Sequence, residues 1–397
     1  MRTIYVDNAA TTPISETARR VFVQTMDTAW GNPSSLHTVG QTAAEVLLKA
    51  RQDVAECIHA QREREIYFTS GGSEADNQAL ITGAMMGRKK GKTHIISTRF
   101  EHHAVLHALK RLEKEGFEVT LLDVGRDGIV TPEQVENAIR EDTCLVSIMF
   151  ANNEVGTIQP IAEIGALCRK HKVLFHTDAV QAVGHLPIDV QAMNIDMLSL
   201  SGHKFGAPKG VGALYARTGI WLTNLIEGGA QERGKRAGTE NVPGIAAMAA
   251  ALKESCQHME ENAKKLTALR DQLLEGLSQL PLTIINGHRQ RRLPGNVNVC
   301  FQGIEGESLL LLLDAKGIEA SSGSACTSGS LDPSHVLLAL GLPHEVAHGS
   351  LRISLSDANT QEDVDYMLAE IPKVVAYLRS ISPVWEAIEK GEIHYAV

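Results

Sequence analysis

Val173-Leu174-Phe175-His176-Thr177-Asp178 and, further on, Met197-Leu198-Ser199-Leu200-Ser201-Gly202-His203-Lys204 decide how this chain is read. The first run is a buried strand that ends in a carboxylate. The second is a strand that runs straight into a turn of small residues carrying a lysine. In open α/β sheets ligands sit beyond the carboxyl ends of the strands, so an acid and an amine at two such ends occupy functional positions. Taken singly, each has a bland reading, an N-capping Asp and a solvent-facing Lys. Together they are the parts that a pyridoxal phosphate enzyme needs: a lysine to form the Schiff base and a carboxylate to keep the ring nitrogen protonated.

Working outward, further strands are expected at Ile66-Phe68, His94-Ser97, Val119-Leu122, Leu145-Phe150 and Val211-Tyr215. Helical patterns near 35–59, 73–88, 103–115, 132–140 and 161–171 lie between them. Thr131-Pro132-Glu133-Gln134 has the composition of a helix start, with a capping hydroxyl, a proline at the first helical position and a glutamine three residues on. Strands alternating with helices predict an α/β layered domain with a largely parallel sheet. Past residue 242 the pattern changes to a long helix after Pro243, then Asn296-Phe301, Leu351-Leu355 and a helix opening at Thr360. That is a smaller α+β unit.

Composition narrows the function classes. The 397 residues are 43% apolar and 21% charged, which excludes a disordered or collagen-like chain. A net charge of −9 without a basic tract argues against nucleic acid or an anionic membrane as partner. No apolar run approaches the ~20 residues needed to span a bilayer. Met1-Arg2-Thr3-Ile4-Tyr5-Val6-Asp7 has no signal core, and six cysteines at 57, 144, 168, 256, 300 and 326 form no C-x-x-C pair. A cytoplasmic enzyme in a reducing compartment is expected. The histidines show no spacing that suggests a metal site.

Four other places carry chemistry. Tyr67-Phe68-Thr69-Ser70-Gly71-Gly72-Ser73-Glu74 is a strand, a double-glycine turn and a helix start, suited to a phosphate but lacking a P-loop lysine. Cys326 lies in Ser321-Ser322-Gly323-Ser324-Ala325-Cys326-Thr327-Ser328-Gly329-Ser330, which offers almost nothing to pack a core. Its thiol is a candidate nucleophile, whereas the other cysteines read as small buried hydrophobes. Arg352 interrupts an alternating strand and could clamp a carboxylate bidentately; His102, in Glu101-His102-His103, follows a strand and could face a ligand.

These segments together closely resemble the cysteine desulfurases, pyridoxal phosphate enzymes of aminotransferase fold type I. The matches run from Tyr5-Val6-Asp7-Asn8-Ala9-Ala10-Thr11-Thr12 through Gly31-Asn32-Pro33-Ser34-Ser35, Asn152-Asn153-Glu154-Val155-Gly156 and Arg236-Ala237-Gly238-Thr239-Glu240-Asn241 to Arg352. The extended cysteine segment resembles group I members. The resemblance implies a large domain at 14–260 with a mainly parallel seven-stranded sheet, and a small domain from 1–13 and 261–397. It implies a homodimer in which Lys204 carries pyridoxal 5'-phosphate and Asp178 pairs with its ring nitrogen. Gln181 and Asn152 would contact ring substituents, and His102 would stack on the ring and assist proton transfer. Gly72, Ser73, Ser201 and His203 would hold the phosphate, with Thr239 reaching in from the other subunit. Arg352 and Asn32 would bind the carboxylate of L-cysteine. Cys326 would receive the sulfur as a persulfide and pass it to an acceptor protein, an iron–sulfur scaffold or a thiolation enzyme. Asn8 stands where many relatives have His or Tyr, Ser73 replaces a commoner Thr, and the tail from Val384 does not match the scaffold-docking tail of housekeeping members. The rival readings are a selenocysteine lyase or another fold-type I enzyme, and a non-enzymatic sulfur carrier that would leave Asp178 and Lys204 unexplained.

Overall fold

The computed structural model describes residues 3–322 and 333–395. Its strands, in chain order, are β1 (Ile4–Tyr5), β2 (Ile66–Thr69), β3 (His94–Thr98), β4 (Glu118–Leu122), β5 (Thr143–Ser147) and β6 (Leu174–Asp178). They continue with β7 (Met197–Ser201), β8 (Gly212–Ala216), β9 (Thr283–Ile285), β10 (Asn296–Phe301), β11 (Ile318–Glu319) and β12 (Ser350–Ser354). Seven of them form one sheet in the order β2-β8-β7-β6-β5-β3-β4. Its pairs from β7 to β4 are parallel, while β8 runs antiparallel to both β7 and β2. The mixed α/β class with a mainly parallel seven-stranded sheet is therefore as expected.

Period-two burial explains why this sheet carries helices on both faces. Ile95, Leu145, Met197 and Leu214 point to one side, against α3 (Gly72–Arg88) and α4 (His103–Lys114). Ile96, Val146, Phe175 and Leu198 point to the other, against α2 (Thr38–Cys57), α6 (Ile161–His171) and a 37-residue helix, Val242–Ser278. The far half of that long helix covers a second core. There Leu273 and Leu277 meet Val297, Val299, Leu351 and Ile353 of an antiparallel sheet ordered β12-β10-β9. β1 pairs in parallel with β11, so the N-terminal residues join this second core.

Local signals held where the side chains themselves make the bond. Thr131 accepts from Gln134 N–H while the Gln134 side chain accepts from Thr131 N–H, a reciprocal cap on α5 (Pro132–Ala138). Thr360 caps the helix Gln361–Ser380 in the same way, through Asp363. Two expectations needed revision. The strand expected at Leu145-Phe150 ends at Ser147: the buried Glu101 carboxylate takes the Met149 N–H, with both oxygens 3.1 Å away, while Ile148 and Phe150 N–H still donate to the His176 and Asp178 carbonyls. A helix, α1 (Glu16–Thr28), capped by Ser15, stands where no element was expected.

Because β3, β5, β6 and β7 are parallel, their carboxyl ends share one edge. β2, reversed twice through β8, ends there as well. Phe175 lies wholly buried between β6 and the helices behind it. Phe175→Ala is expected to lower unfolding free energy by about 3–5 kcal/mol in denaturant titration. A loss under about 1 kcal/mol would contradict its place at the centre of the core.

Candidate active site

At the shared edge, β6 presents Asp178 and β7 leads through the single turn Gly202–Lys204 to Lys204. The pairing of Asp178 with Ser199 fixes the register between the two ends. Asp178 is 5% exposed and accepts a hydrogen bond from Val180 N–H at 2.9 Å. Burial pushes its carboxyl up, while His102, the Val180 N–H and Lys204 pull it back towards the ionised form. Lys204 Nζ donates to the carbonyl oxygens of Ala9 and Ala10 at 2.7 and 2.8 Å. Gln181 Nε2 donates to the same Ala9 oxygen at 2.9 Å. Lys204 and Gln181 also line a cavity of about 460 Å³ bounded by His185, Glu254 and Asp357.

The phosphate-like turn lies alongside. Gly72 opens α3, and a Cβ there would come within 2.6 Å of Val180 Cγ2, so the turn packs directly against the residue that hydrogen-bonds Asp178. Ser201, buried at the end of β7, places its Oγ against Gly71. His203 hydrogen-bonds Thr11 Oγ1 through Nδ1 at 3.1 Å, and burial beside Lys204 and Lys209 holds its ring down at about 4, hence neutral. Free N–H groups at a helix start, hydroxyls and a neutral imidazole make a donor set for a phosphate. The buried Asp178 carboxyl suits a protonated ring nitrogen. The residues present therefore fit a phosphorylated pyridine group, with Lys204 at its side.

His102 caps α4, its Nδ1 accepting from Ala104 N–H at 3.1 Å, which leaves the proton of the neutral ring on Nε2. Asn152 is wholly buried after β5, and its amide is committed to the local turn: Oδ1 accepts from Glu154 and Val155 N–H, and Nδ2 donates to the Phe100 carbonyl. Ser73 is exposed at the rim. Asn32, capping Ser34 N–H, and Thr239 are exposed too, and no hydrogen bond among the described residues joins either to the others. Cys326 lies outside the described residues.

Arg352 of β12 is 2% exposed and forms an ion pair with Asp7 at 2.7 Å. The side-chain reading passed over Asp7, although it stands in the quoted opening motif. It also passed over three buried acids. Glu101 accepts from Thr98 and Met149; Glu154 is bonded to the Ser334 hydroxyl; Asp76 lies beneath Asp178 with His176 3.7 Å away. Burial raises all three, to about 8 for Glu101 and about 7 for Glu154, and well above the usual range for Asp76.

The Glu101 shift has a signed consequence. Unfolded, Glu101 loses its proton near 4.5; folded, it keeps it to about 8. Between those values the native state binds more protons, so its contribution to stability falls as pH rises. Glu101→Gln removes this dependence. Its stability relative to wild type should rise from pH 5 to pH 8, by at most about 1.4 kcal/mol per pH unit. Parallel stability–pH curves for the two proteins would contradict the assignment.

With this geometry in view, the comparisons with known proteins agree among themselves. Residues 4–367 match the family described as aminotransferase class-V. "Cysteine desulfurase IscS" of Methanosarcina thermophila is 55% identical over 96% of this chain and 94% of its own. The protein of that name from Clostridium botulinum strain Hall is 52% identical over 98% of both. A solved "NifS-like protein" superposes with a TM-score of 0.89 at 40% identity, covering 95% of this chain and all of that one. "SspA in complex with cysteine" does so at 0.79 and 36%, covering 90% of this chain and all of its own. The chain belongs to the cysteine desulfurase family of the class-V aminotransferases.

Proposed function

We propose that the protein converts L-cysteine to L-alanine and keeps the sulfur on Cys326 as a persulfide for delivery to an acceptor protein. The observation that carries this reading is the juxtaposition of Asp178 and Lys204 at the ends of adjacent parallel strands, beside a phosphate-fitting turn. Pyridoxal 5'-phosphate, when bound, supplies an electron sink that acidifies the Cα–H of an amino acid attached to it. Gly72, Ser73, Ser201 and His203 would hold its phosphate, Asp178 its ring nitrogen, and Gln181 and Asn152 its ring substituents.

The chain's own groups then divide the work. Arg352, with Asn32, binds the substrate carboxylate and fixes which bond faces Lys204. Lys204 Nζ takes the Cα proton, and the Ala9 and Ala10 carbonyls stabilise the ammonium that results. His102, with its proton on Nε2, is placed to stack and to donate. Cys326 Sγ forms the new S–S bond as the substrate's C–S bond breaks; the thiol's hydrogen balances the alanine that leaves.

A second copy of the chain completes the site in this reading. Trp30, Leu36 and Trp221 are among the most exposed large apolar side chains, the kind of side chain that a partner would cover. Thr239 projects from the surface in the segment that would enter the neighbouring site. We further take 14–260 as the large domain, with 1–13 and 261–397 as the small one. Among the described residues no helix is long and apolar enough to cross a membrane.

Alanine and sulfide release from L-cysteine with a reductant tests the reading. Lys204→Ala should lose all turnover and the borohydride-fixable attachment of the cofactor. Cys326→Ser should keep the bound cofactor and fall to background in sulfur transfer; normal desulfuration by that variant would eliminate Cys326 as the sulfur acceptor.

A further inference from the structure

Arg352 is buried almost completely, yet only part of its donor fork is used. Of its five N–H groups, one on Nη2 reaches Asp7 Oδ1 at 2.7 Å and one on Nη1 reaches the Asn153 carbonyl at 3.3 Å. Nε–H is buried with no acceptor among the described residues. An unsatisfied buried donor on a cation is costly and rare, and it points to a ligand with an oxygen to place there. The Asp7 side chain is about a fifth exposed, whereas that of Arg352 is almost wholly buried.

The backbone explains why Asp7 stands there. Residues 6–9 run along the end of β12: Ser354 N–H donates to Val6 O at 2.7 Å, Asn8 N–H to Ser354 O at 3.3 Å, and Ala9 N–H to Ser354 Oγ at 2.8 Å. Asn8 Nδ2 donates to Ser354 O at 2.8 Å. Tyr5 Oη closes the turn from beneath by donating to Thr11 O at 2.7 Å. The segment is thereby held so that Asp7 faces Arg352 while the Ala9 and Ala10 carbonyls face Lys204.

We propose that Asp7 is the positioning residue of the Arg352 clamp, holding the guanidinium by one edge so that its Nε edge stays directed at the carboxylate of a zwitterionic α-amino acid. Asp7 balances the buried guanidinium charge and restrains its rotation. The substrate carboxylate then completes the fork without having to order it. This rests on the reading that Arg352 takes the substrate carboxylate.

The test uses the holoenzyme, with steady-state kinetics on L-cysteine and calorimetric binding of L-alanine, in wild type, Asp7→Ala, Asp7→Asn and Arg352→Lys. Asp7→Ala should raise the KM for L-cysteine and the Kd for L-alanine about tenfold, with kcat within about twofold and bound cofactor unchanged. Asp7→Asn keeps an acceptor for Nη2 and should regain most of that affinity. The proposal is overturned if Asp7→Ala binds as wild type, or if kcat falls while KM stays. Should Asp7→Ala fail to fold, Asp7→Ser, too short to reach Nη2, makes the same test. An unmoved Kd in Arg352→Lys defeats the reading of Arg352 itself. A raised Kd there, with Asp7 variants that bind as wild type, defeats only the role of Asp7.

Discussion

A carboxyl at the end of a fully buried strand must find compensation or give up its charge, and the rest of the site follows from how Asp178 does so. Burial disfavours its ionised form, and the groups that oppose burial are few: one backbone N–H, His102 and Lys204. All three reach it because parallel strands bring their carboxyl ends to one edge. The acids around it face the same problem with less help. Among the described residues Glu101 and Asp76 have no Lys or Arg in contact, and burial pushes both carboxyls up. Among these buried acids Asp178 is thus the one whose burial is opposed by a cation as well as by a backbone N–H.

Lys204 and Arg352, the two cations of the site, belong to different cores. Lys204 ends a turn of the seven-stranded sheet, and Arg352 belongs to the antiparallel sheet of the C-terminal half. The segment Asp7–Ala10 lies between them, with its backbone zipped to β12 and its carbonyl oxygens on Lys204. Four residues near the chain's start thereby link the Lys204 amine to the Arg352 guanidinium. A structural role and a chemical one meet in that stretch, so changes there are expected to act on binding as well as folding.

Much of this was legible in the sequence because it depends on local patterns. The strand β10 is found as read, Asn296–Phe301, and the reciprocal caps at Thr131 and Thr360 need only residues three apart. Strand ends were less legible: nothing near Leu145-Phe150 signals that Glu101, more than forty residues earlier, will take the Met149 N–H. α1 was missed although Ser15 caps it and Phe22 packs on the core, signals that went unused. At the site, Lys204 and Asp178 were readable as strand-end residues of the right chemistry. Asp7 and the Ala9 and Ala10 carbonyls were not, because a backbone oxygen has no side-chain signature and Asp7 acts only through a residue some 345 positions away.

Reaction stoichiometry in a single turnover addresses the central claim most directly. Holoenzyme is mixed with excess L-cysteine without reductant or acceptor, alanine is counted, and the Cys326 peptide is weighed. One alanine per chain and a peptide heavier by one sulfur atom are expected, with the other five cysteines unchanged. Alanine released in multiple turnovers with an unmodified Cys326 peptide, or the extra sulfur on another cysteine, would contradict it.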